Sequence, residues 1–520
     1  MKNISKLAYV YDLDPGRGLG HFTRTNQLVK EFRRKGVKCY LALEDKHRNF
    51  HKKIIRDETP IYFEKTKKSL KLFVAKLKKN EIHSVLIDSY TLGPKWEKYL
   101  SEEGFFIIAI DDHLKKRSAN MIFTNKPEIE RKFQNSKSQK WFMGPEFALL
   151  GQEKKRDVKK KKSINSILLH GGGSSLFNLM KDFTIETIEC AEKNSIDLSI
   201  VCTTEESQRY VESLLSSKIR SIKIKVLPFK KDLAKVLHNY DVVAGPSGTT
   251  TFETILAGSF PFTFQLKDDG RDSLNAFSQI GHLLHLKHFE KNNPKIIADC
   301  WQLVLEKKLH LSSILSLKSH QIDGKGAMRT VKHVLSELNQ ESKNTFTAKK
   351  VKEKSLSNFT SIKSNLSEMR DFLELRNQES VRKVSTAPEH IISWPEHVRW
   401  WLNPNIQKFS FKKDKKTVGY YWIKKNLHAA GKYLTSGWFL NDTVDDKLRL
   451  AKELTACKVL KVKRYYVDFT WIIIMRNNNK IVEKLNTSYG FKIASKLSKI
   501  RAKEYFRVDL NDYLVMEMKL

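Results

Sequence analysis

The first two thirds of this chain alternate short apolar runs with polar helical patterns, and this alternation limits the folds that it can adopt. Apolar runs that predict strands lie at residues 6–11, 37–42, 84–87, 105–110 and 121–123. Between them, the spacing of apolar residues predicts helices at 67–80 and 93–103. Short strands separated by helices are typical of a parallel sheet with crossover helices. We therefore expect an α/β fold whose first Rossmann-like lobe spans residues 1–152.

A charged run at residues 153–163 separates this lobe from a second alternating region. The strands predicted there lie at 166–170, 198–202, 222–226 and 242–243, with a helix at 177–193. The polar stretch 339–355, rich in lysine and serine, is expected to be a linker. The chain has 520 residues, which suits three domains of ordinary size. We predict a second Rossmann-like lobe at 160–338 and a third domain at 356–520.

The first lobe has a glycine-spaced turn at residues 17–24 (RGLGHFTR), between the first strand and a helix predicted at 23–35. Gly18 and Gly20 allow close backbone approach, and the N–H groups at a helix start favour an anionic ligand. At this place His21 can move protons near neutral pH, and Arg24 can hold a phosphate or carboxylate. An ordinary tight turn with a surface histidine explains the same residues equally well.

Two strands of the first lobe end in acids, at Asp88 in the run 87–90 (IDSY) and at Asp111 and Asp112. In an open α/β sheet the ligand crevice lies at the carboxyl ends of the strands, so these side chains are candidates to line it. Loop capping is an equal alternative for Asp111 and Asp112.

The second lobe repeats the pattern of strand, glycine-rich turn and helix. Its first strand ends in the run 171–175 (GGGSS), and a later strand leads into residues 245–253 (GPSGTTTFE). Hydroxyl and N–H groups of this second run can take up phosphate, and Glu253 can accept hydrogen bonds from ribose hydroxyls. An N-cap with a capping glutamate is compatible with the same residues.

Composition limits the class of protein and its partners. With 40% hydrophobic and 29% charged residues the chain is globular, and no apolar run is long enough to cross a bilayer. The net charge of +37 invites a nucleic-acid partner, but the lysines are spread over the whole chain without a basic–aromatic motif, so we expect none. Five scattered cysteines and an N-terminus that lacks a signal-peptide apolar segment predict a cytoplasmic protein without a metal site.

Residues 17–24 resemble the G-x-G-H-x-x-R signature of the UDP-sugar hydrolase of pseudaminic acid biosynthesis, a relative of the MurG-type glycosyltransferases. Further motifs follow in the order and rough spacing of that family, and the resemblance covers about residues 6–335. These motifs are Asp88-Ser89-Tyr90, Gly144 to Leu150, Gly171 to Ser174, Ser247 to Glu253 and the segment around Asn275. One departure is Tyr11-Asp12-Leu13-Asp14, which stands where the family has an Arg-x-Asp strand end.

The resemblance implies a GT-B-like fold that hydrolyses UDP-2,4-diacetamido-2,4,6-trideoxy-β-L-altropyranose to UDP and the free sugar, without a cofactor. By that analogy His21 is the general base for the attacking water, and N–H groups of the Gly171 and Ser247 turns stabilise the leaving group. The implied substrate-binding residues are Gly18, Gly20, Arg24, Asp88, Tyr90, Gly172, Gly173, Ser174, Ser247, Gly248, Thr249, Glu253 and Asn275.

The third domain is predicted to hold helices at 369–376, 394–402 and 445–457 and strands at 409–411, 418–423, 434–439, 465–469 and 505–508. The run 479–491 resembles the late helix and Gly-Phe ending of GNAT N-acetyltransferases, and residues 376–382 are similar to the opening of sugar-amine members. The resemblance implies an α+β domain that binds acetyl-CoA and acetylates the amino sugar one step earlier in the same pathway, with Asn479 and Tyr489 as candidate site residues. Trp400 and Trp401 are expected in the core.

Two features of this domain depart from the GNAT pattern. Gly437 is the one glycine near the place where the CoA pyrophosphate loop is expected, and Asn486 occupies the usual position of the general-acid tyrosine. Two alternatives therefore stay open. The first is a glycosyltransferase on the same two-lobed scaffold, and the second is a C-terminal domain that serves as a degenerate scaffold or nucleotide-sugar sensor.

Overall fold

The computed structural model describes residues 5–12, 20–48, 60–89, 91–111, 116–126, 139–151, 163–172, 177–216, 222, 224–228, 233–266, 271–340, 359–414, 416–428, 431–441 and 446–520. The chain divides into two compact units, Met1–Thr347 and Ala348–Leu520. Of the predicted linker 339–355, residues 339 and 340 end a helix and the rest lies outside the described residues. Within the described residues, no helix has the length and apolarity that crossing a membrane requires.

The first unit contains two parallel sheets. The strands of the first sheet are β1 (Lys6–Tyr11), β2 (Lys38–Glu44), β3 (Ile61–Phe63), β4 (Ser84–Asp88), β5 (Phe106–Ile110), β6 (Met121–Thr124) and β7 (Lys140–Met143). Helices α1 (Gly20–Arg34), α2 (Lys67–Lys79) and α3 (Pro94–Glu102) connect them. The strand order is β3-β2-β1-β4-β5-β6-β7. Because the order reverses between β1 and β4, the connections there leave in opposite directions and open a crevice at the carboxyl ends of both strands.

The second sheet follows the same plan. Its strands are β8 (Ser166–His170), β9 (Asp197–Cys202), β10 (Ile224–Pro228), β11 (Val242–Pro246), β12 (Phe260–Phe264) and β13 (His285–Leu286). The helices of this part are α4 (Lys181–Lys193), α5 (Glu205–Ser216), α6 (Thr249–Leu256), α7 (Arg271–Gln279), α8 (Pro294–Lys318) and α9 (Gly326–Gln340). The order β10-β9-β8-β11-β12-β13 reverses between β8 and β11. The prediction of two Rossmann-like lobes is confirmed.

The segment 147–150 joins the cores of the two lobes. Phe147 and Leu149 are buried in the core of the first sheet, whereas Ala148 and Leu150 are buried with Phe252 in the second lobe. Helix α9 also returns to the first lobe, where its buried Val331 packs in the same core as α1. Residues 144–150, which resemble a family motif, therefore connect the two lobes. Their alternate side chains are buried in the two cores and so hold the lobes in one compact unit.

The second unit is built on one mixed sheet. Its strands are β14 (Phe359–Lys363), β15 (Ile406–Lys413), β16 (Lys416–His428), β17 (Gly431–Leu440), β18 (Thr470–Arg476), β19 (Lys492–Ile493) and β20 (Tyr513–Lys519), in the order β14-β15-β16-β17-β18-β20-β19. Its helices are α10 (Met369–Arg376), α11 (Glu379–Lys383), α12 (Trp394–Trp401), α13 (Lys447–Tyr465), α14 (Lys480–Ser488) and α15 (Lys496–Phe506). Neighbouring strands are antiparallel except β17 and β18, which are parallel.

Two strands predicted in this unit are wrong. Residues 465–469 end α13 and form the turn before β18, and residues 505–508 end α15. Aromatic residues lie at both helix ends, and their composition is typical of a strand. Val462 and Ala502, however, belong to the buried faces of the two helices, which therefore extend into these segments. Arg507 has a positive φ of 52°, which stops α15.

Candidate active site

A buried carboxylate, Asp88, lies at the carboxyl end of β4 and contacts three side chains of α1. Nδ1 of His21 is 2.7 Å from its Oδ1. Nε of Arg24 donates to its Oδ2 over 2.6 Å, and a terminal nitrogen of Arg24 donates to Oδ1. The hydroxyl of Thr25 donates to Oδ2 over 2.9 Å. One carboxylate therefore holds a histidine, an arginine and a threonine in fixed positions.

The local fold explains why these four residues meet. His21, Arg24 and Thr25 are spaced by three and four positions on α1, so they share one face of the helix. β1 pairs with β4 in a register that places Tyr11 opposite Asp88. The first turn of α1 follows β1 and so lies over the end of β4, at the crevice where the strand order reverses.

Nδ1 of His21 lies within hydrogen-bond distance of both Asp88 and Arg24. Burial alone raises the pKa of this carboxyl, but the charge of Arg24 and the contacts of His21 outweigh burial and hold the pKa well below its usual range. A terminal nitrogen of Arg24 also lies 2.9 Å from Nδ1 of His21. In the tautomer with the proton on Nδ1, this nitrogen donates to Oδ1 of the ionised carboxylate, and Nε2 is the basic nitrogen of the ring. This is the arrangement that an oriented general base needs.

A second acid, Asp12, follows β1 and supports the loop after β4. Its Oδ1 accepts hydrogen bonds from the hydroxyls of Ser89, over 2.6 Å, and Thr91, over 3.1 Å. The hydroxyl oxygen of Ser89 in turn accepts from the backbone N–H groups of Thr91 and Leu92. Asp12 stands in the segment that departs from the family pattern, and its contacts show it as a support of the crevice wall.

In the second lobe, two turns meet at the reversal between β8 and β11. The N–H of Gly172, at a positive φ of 74°, donates to Nδ1 of buried His170 over 3.2 Å. Burial lowers the pKa of His170 to about 4, so its imidazole is neutral. Gly245, at a φ of 152°, lies against His170, and a Cβ there would collide with the histidine. The glycines thus allow close packing of the two turns.

The N–H groups that we expected to stabilise a leaving group are partly occupied. The N–H of Ser247 donates to the carbonyl of Phe264 over 2.9 Å, and that of Gly248 donates to the hydroxyl of Thr251 over 3.2 Å. The Gly172 N–H is likewise taken by His170. The first N–H groups of α6, at Thr249 and Thr250, lack intrahelical acceptors by their position. Of the predicted residues in this run, Thr249 therefore carries an N–H that the helix itself leaves unbonded.

Arg24 and Thr249, from different lobes, line one pocket of the first unit together with Phe147 and Leu149 of the connecting segment and Phe252 of α6. Glu253 lies half-buried in α6, and Gly20 is the first residue of α1. Asn275 is in α7, but its side chain lies outside the described part. Gly18, Tyr90, Gly173, Ser174 and Asp112 also fall outside the described residues.

Thr25 and Asp12 were not among the predicted site residues. The position of Thr25 four residues after His21 is the signal that could have identified it, since the two share a helix face. Asp12 had no such signal, because its partners Ser89 and Thr91 are distant in sequence.

In the second unit, the two candidate site residues have structural partners. The side chain of Asn479 caps α14 by accepting from the N–H of Val482 over 3.2 Å. The hydroxyl of Tyr489 donates to the carbonyl of Lys452 over 3.1 Å, and burial raises its pKa. Asn486 donates to the carbonyl of Val482 over 2.9 Å.

The parallel strands β17 and β18 separate soon after they meet. Their pairing joins 433–435 to 470–472, with Thr435 opposite Ile472 as the last described pair. Beyond it, β17 continues beside β16 to Leu440, and β18 continues beside β20 to Arg476. The sheet therefore opens between the carboxyl ends of β17 and β18. Residues 442–445, which precede α13 and were expected to include the CoA loop, lie outside the described part.

A scan against protein-family models and a search of curated proteins each find no match. Among solved structures, the chain is similar to MurG of Acinetobacter baumannii, at 16% identity over 64% of this chain and 99% of that chain, with a TM-score of 0.47. It is similar to MnaA of S. aureus in complex with UDP, at 13% identity over 64% and 97%, with a TM-score of 0.46. UDP-GlcNAc 2-epimerase from Neisseria meningitidis bound to UDP-GlcNAc gives 12% identity over 64% and 100%, with a TM-score of 0.44.

Proposed function

We propose that the first unit is a nucleotide-sugar hydrolase in which His21 is the general base. The observation that carries this proposal is the contact of 2.7 Å between His21 Nδ1 and the buried, ionised carboxylate of Asp88. That contact fixes the ring and leaves Nε2 to accept a proton. A histidine so oriented at the crevice of an α/β sheet is suited to activate water.

In the proposed step, a water oxygen forms a bond to the anomeric carbon while the bond from that carbon to the β-phosphate oxygen breaks. UDP leaves with the electron pair, and the proton of the water passes to Nε2 of His21. Asp88 stabilises the imidazolium that results, because its charge is already in contact with Nδ1. Asp88 is thus a positioning residue in this proposal.

The departing diphosphate needs positive partners. The N–H of Thr249, at the start of α6, comes from the second lobe, and the guanidinium of Arg24, beside His21 on α1, comes from the first, in the pocket that these two residues share. On the resemblance of residues 17–24, we propose UDP-2,4-diacetamido-2,4,6-trideoxy-β-L-altropyranose as the substrate, with the chain in the GT-B class and the pseudaminic acid pathway.

For the second unit we propose a GNAT-type acetyltransferase that uses acetyl-CoA. The supporting observation is the opening between the parallel strands β17 and β18, where backbone groups of β17 beyond Thr435 face a gap and a cofactor can take their hydrogen bonds. The amine of a nucleotide-linked amino sugar would attack the thioester carbonyl. The new N–C bond forms as the C–S bond breaks, and CoA leaves as the thiolate and takes up the proton lost by the amine.

The experiment is UDP release from the diacetamido-altrose nucleotide sugar in buffer without a sugar acceptor. We expect release by the wild-type chain and a loss of about 10³-fold or more in His21→Ala. A matched control is His320→Ala, which removes an exposed histidine of the same unit whose Nδ1 lies 3.2 Å from the carbonyl oxygen of Leu317. If the wild-type chain releases UDP only when a sugar acceptor is added, the hydrolase proposal fails and a glycosyltransferase takes its place.

A further inference from the structure

Exposed apolar and basic side chains lie at the end of the second unit's sheet where β17 and β18 begin. β16 ends beside the first residues of β17, with Leu427 opposite Lys432, and Thr470 of β18 is opposite Tyr433 of β17. The turn that joins α13 to β18 therefore lies at the same end of the sheet. We call this region the strand-start surface, and its six residues are Leu427, Lys432, Lys463, Arg464, Tyr465 and Val467.

The carboxyl end of α13 packs against the face of β16 that carries Leu427. Nζ of Lys425 lies 5.1 Å from the ring centroid of Tyr466, the residue that follows α13. Lys425 and Leu427 are two residues apart on β16, so their side chains leave the same face of the sheet. Leu427 and the residues around Tyr466 therefore border one surface.

Three side chains of the strand-start surface are large and apolar, yet most of each is exposed. The exposed fraction is 66% for Leu427, 64% for Tyr465 and 67% for Val467. A single exposed apolar residue is ordinary, but three at one end of a sheet form a patch that a partner can cover. Val462 and Tyr466 of the same segment are buried in the core, so the three exposed side chains are not part of it.

The cations around this patch are free to meet an outside charge. Residues 424–433 and 460–470 contain six lysines and arginines and one acid, Asp468. Among the residues that the structure describes, Lys432, Lys463 and Arg464 form no ion pair. The guanidinium of Arg464 lies 5.6 Å from the ring centroid of Tyr465, which places charge beside an apolar group. Such a surface attracts a partner that is anionic and also accepts apolar side chains.

An anionic bilayer matches both properties of the surface. Its headgroups supply negative charge, and the acyl boundary beneath them accepts leucine, valine and tyrosine while lysine and arginine reach the headgroups. Nucleic acid matches the cations but leaves Leu427 and Val467 without an apolar partner. A second copy of the chain brings the same cations into contact, and the net charge of +37 opposes self-association.

The geometry points to a docking site for an anionic membrane surface at the strand-start surface of the second unit. β17 and β18 begin at this surface, and they separate beyond Thr435, toward their other ends. A bilayer bound here therefore leaves the opening between the two strands on the side away from the lipid. The membrane contact does not depend on the reaction that either unit catalyses.

The test is sedimentation of the full chain with vesicles made of equal parts of phosphatidylglycerol and phosphatidylcholine. We expect the wild-type chain to bind these vesicles, to bind phosphatidylcholine vesicles far less, and to be released by salt. Lys463→Gln combined with Arg464→Gln should lower the vesicle affinity by about ten-fold or more, because both cations lie near the headgroups. Leu427→Ser combined with Val467→Ser should lower it by a similar factor, because the apolar contact is lost.

Leu497→Ser combined with Lys499→Gln is the matched control. Both residues are exposed on α15, which packs on the face of the sheet opposite α13, and Lys499 forms no ion pair among the described residues. The control chain should bind vesicles as the wild-type chain does. All the substituted residues are exposed, so circular dichroism should report the same fold in every variant.

Weaker vesicle binding in both surface variants, with unchanged binding by the control, supports the docking site. A wild-type chain that does not bind the vesicles, or surface variants that bind as the wild type does, overturns it. A loss confined to the two glutamine substitutions also overturns it, since that result indicates attraction to any polyanion. If the wild-type chain is a dimer without lipid and Leu427→Ser with Val467→Ser makes it a monomer, a second copy covers the surface and the inference fails.

Discussion

The two units each hold a partly buried arginine, and the groups around these two arginines differ. In the first unit Arg24 is bound to the carboxylate of Asp88, which also holds His21 and Thr25. In the second unit Arg376 rests on two indoles, without an ion pair among the described residues. An arginine that is paired with a carboxylate orients the groups that share it, whereas one beside aromatic rings is positioned by packing. The comparison separates an arginine held by charge from one held by packing.

Asp88→Asn is the change with the largest expected effect. The amide cannot stabilise the imidazolium or fix the tautomer of His21, so UDP release falls by about 10³- to 10⁴-fold. Because Arg24 loses its buried partner, the free energy of unfolding of the first unit falls by about 3 kcal/mol. Kinetics of UDP release and chemical denaturation measure the two effects.

Asp323→Asn is the matched control for that variant, since Asp323 pairs with Arg329 elsewhere in the same unit. Its pair is more exposed, and we expect a loss of less than about 1 kcal/mol and unchanged UDP release. A similar loss of activity in both variants would show that the Asp88 effect is a general consequence of breaking an ion pair.

Gly437→Ala tests how Trp422 packs against β17, beside Arg376. The added Cβ collides with the Trp422 ring, so we expect the free energy of unfolding of the second unit to fall by about 1–3 kcal/mol. The indole should also shift away from Arg376, which tryptophan fluorescence reports. Gly93→Ala is the comparison without a clash, because a Cβ there meets nothing within 4 Å, and it should lose only the preference for glycine over alanine at the N-cap of α3, about 0.5–1 kcal/mol.

Lys458→Met removes a buried lysine of the second unit to which no proposal assigns a role. Burial lowers the pKa of Lys458 from its ordinary 10.5 to about 7, so the unfolded chain binds more protons than the folded chain between these pH values. Stability should therefore rise from pH 7 to pH 9 by up to about 1.4 kcal/mol per pH unit at this group. The methionine variant should be more stable at pH 7 and should lose this part of the slope. Denaturation of both chains at several pH values checks the prediction, and an unchanged slope would contradict it.

The sequence predicts the buried strands well and the contacts between them poorly. Strands such as β1, β4 and β8 are continuous apolar runs, because both faces of a parallel sheet are covered. The shorter strands β3, β7 and β13 have two to four residues and no clear pattern, and β12 contains Pro261, so they were not predicted. Local pattern also misled the assignments at 465–469 and 505–508, where helices end in aromatic residues.

The candidate site shows the same limit. The turn at 17–24 identifies His21 and Arg24. Asp88 is identified by its position at the carboxyl end of a predicted strand, where ligands bind in an open α/β sheet. That these three side chains touch depends on the pairing of β1 with β4 across more than 60 residues, which no local pattern encodes. Arg376 and Trp422 belong to different elements in the same way, so the exposed side of Trp400 became visible only with the sheet in place.

The measurement that tests the central claim most directly is the release of UDP in ¹⁸O-labelled water without a sugar acceptor, followed by mass analysis of the UDP. If water attacks the anomeric carbon with His21 as base, UDP is released without label, and the His21→Ala chain releases almost none. Label in the terminal phosphate of UDP would mean that water attacks phosphorus, and no release at all would mean that the first unit is not a hydrolase. Either result would contradict the account.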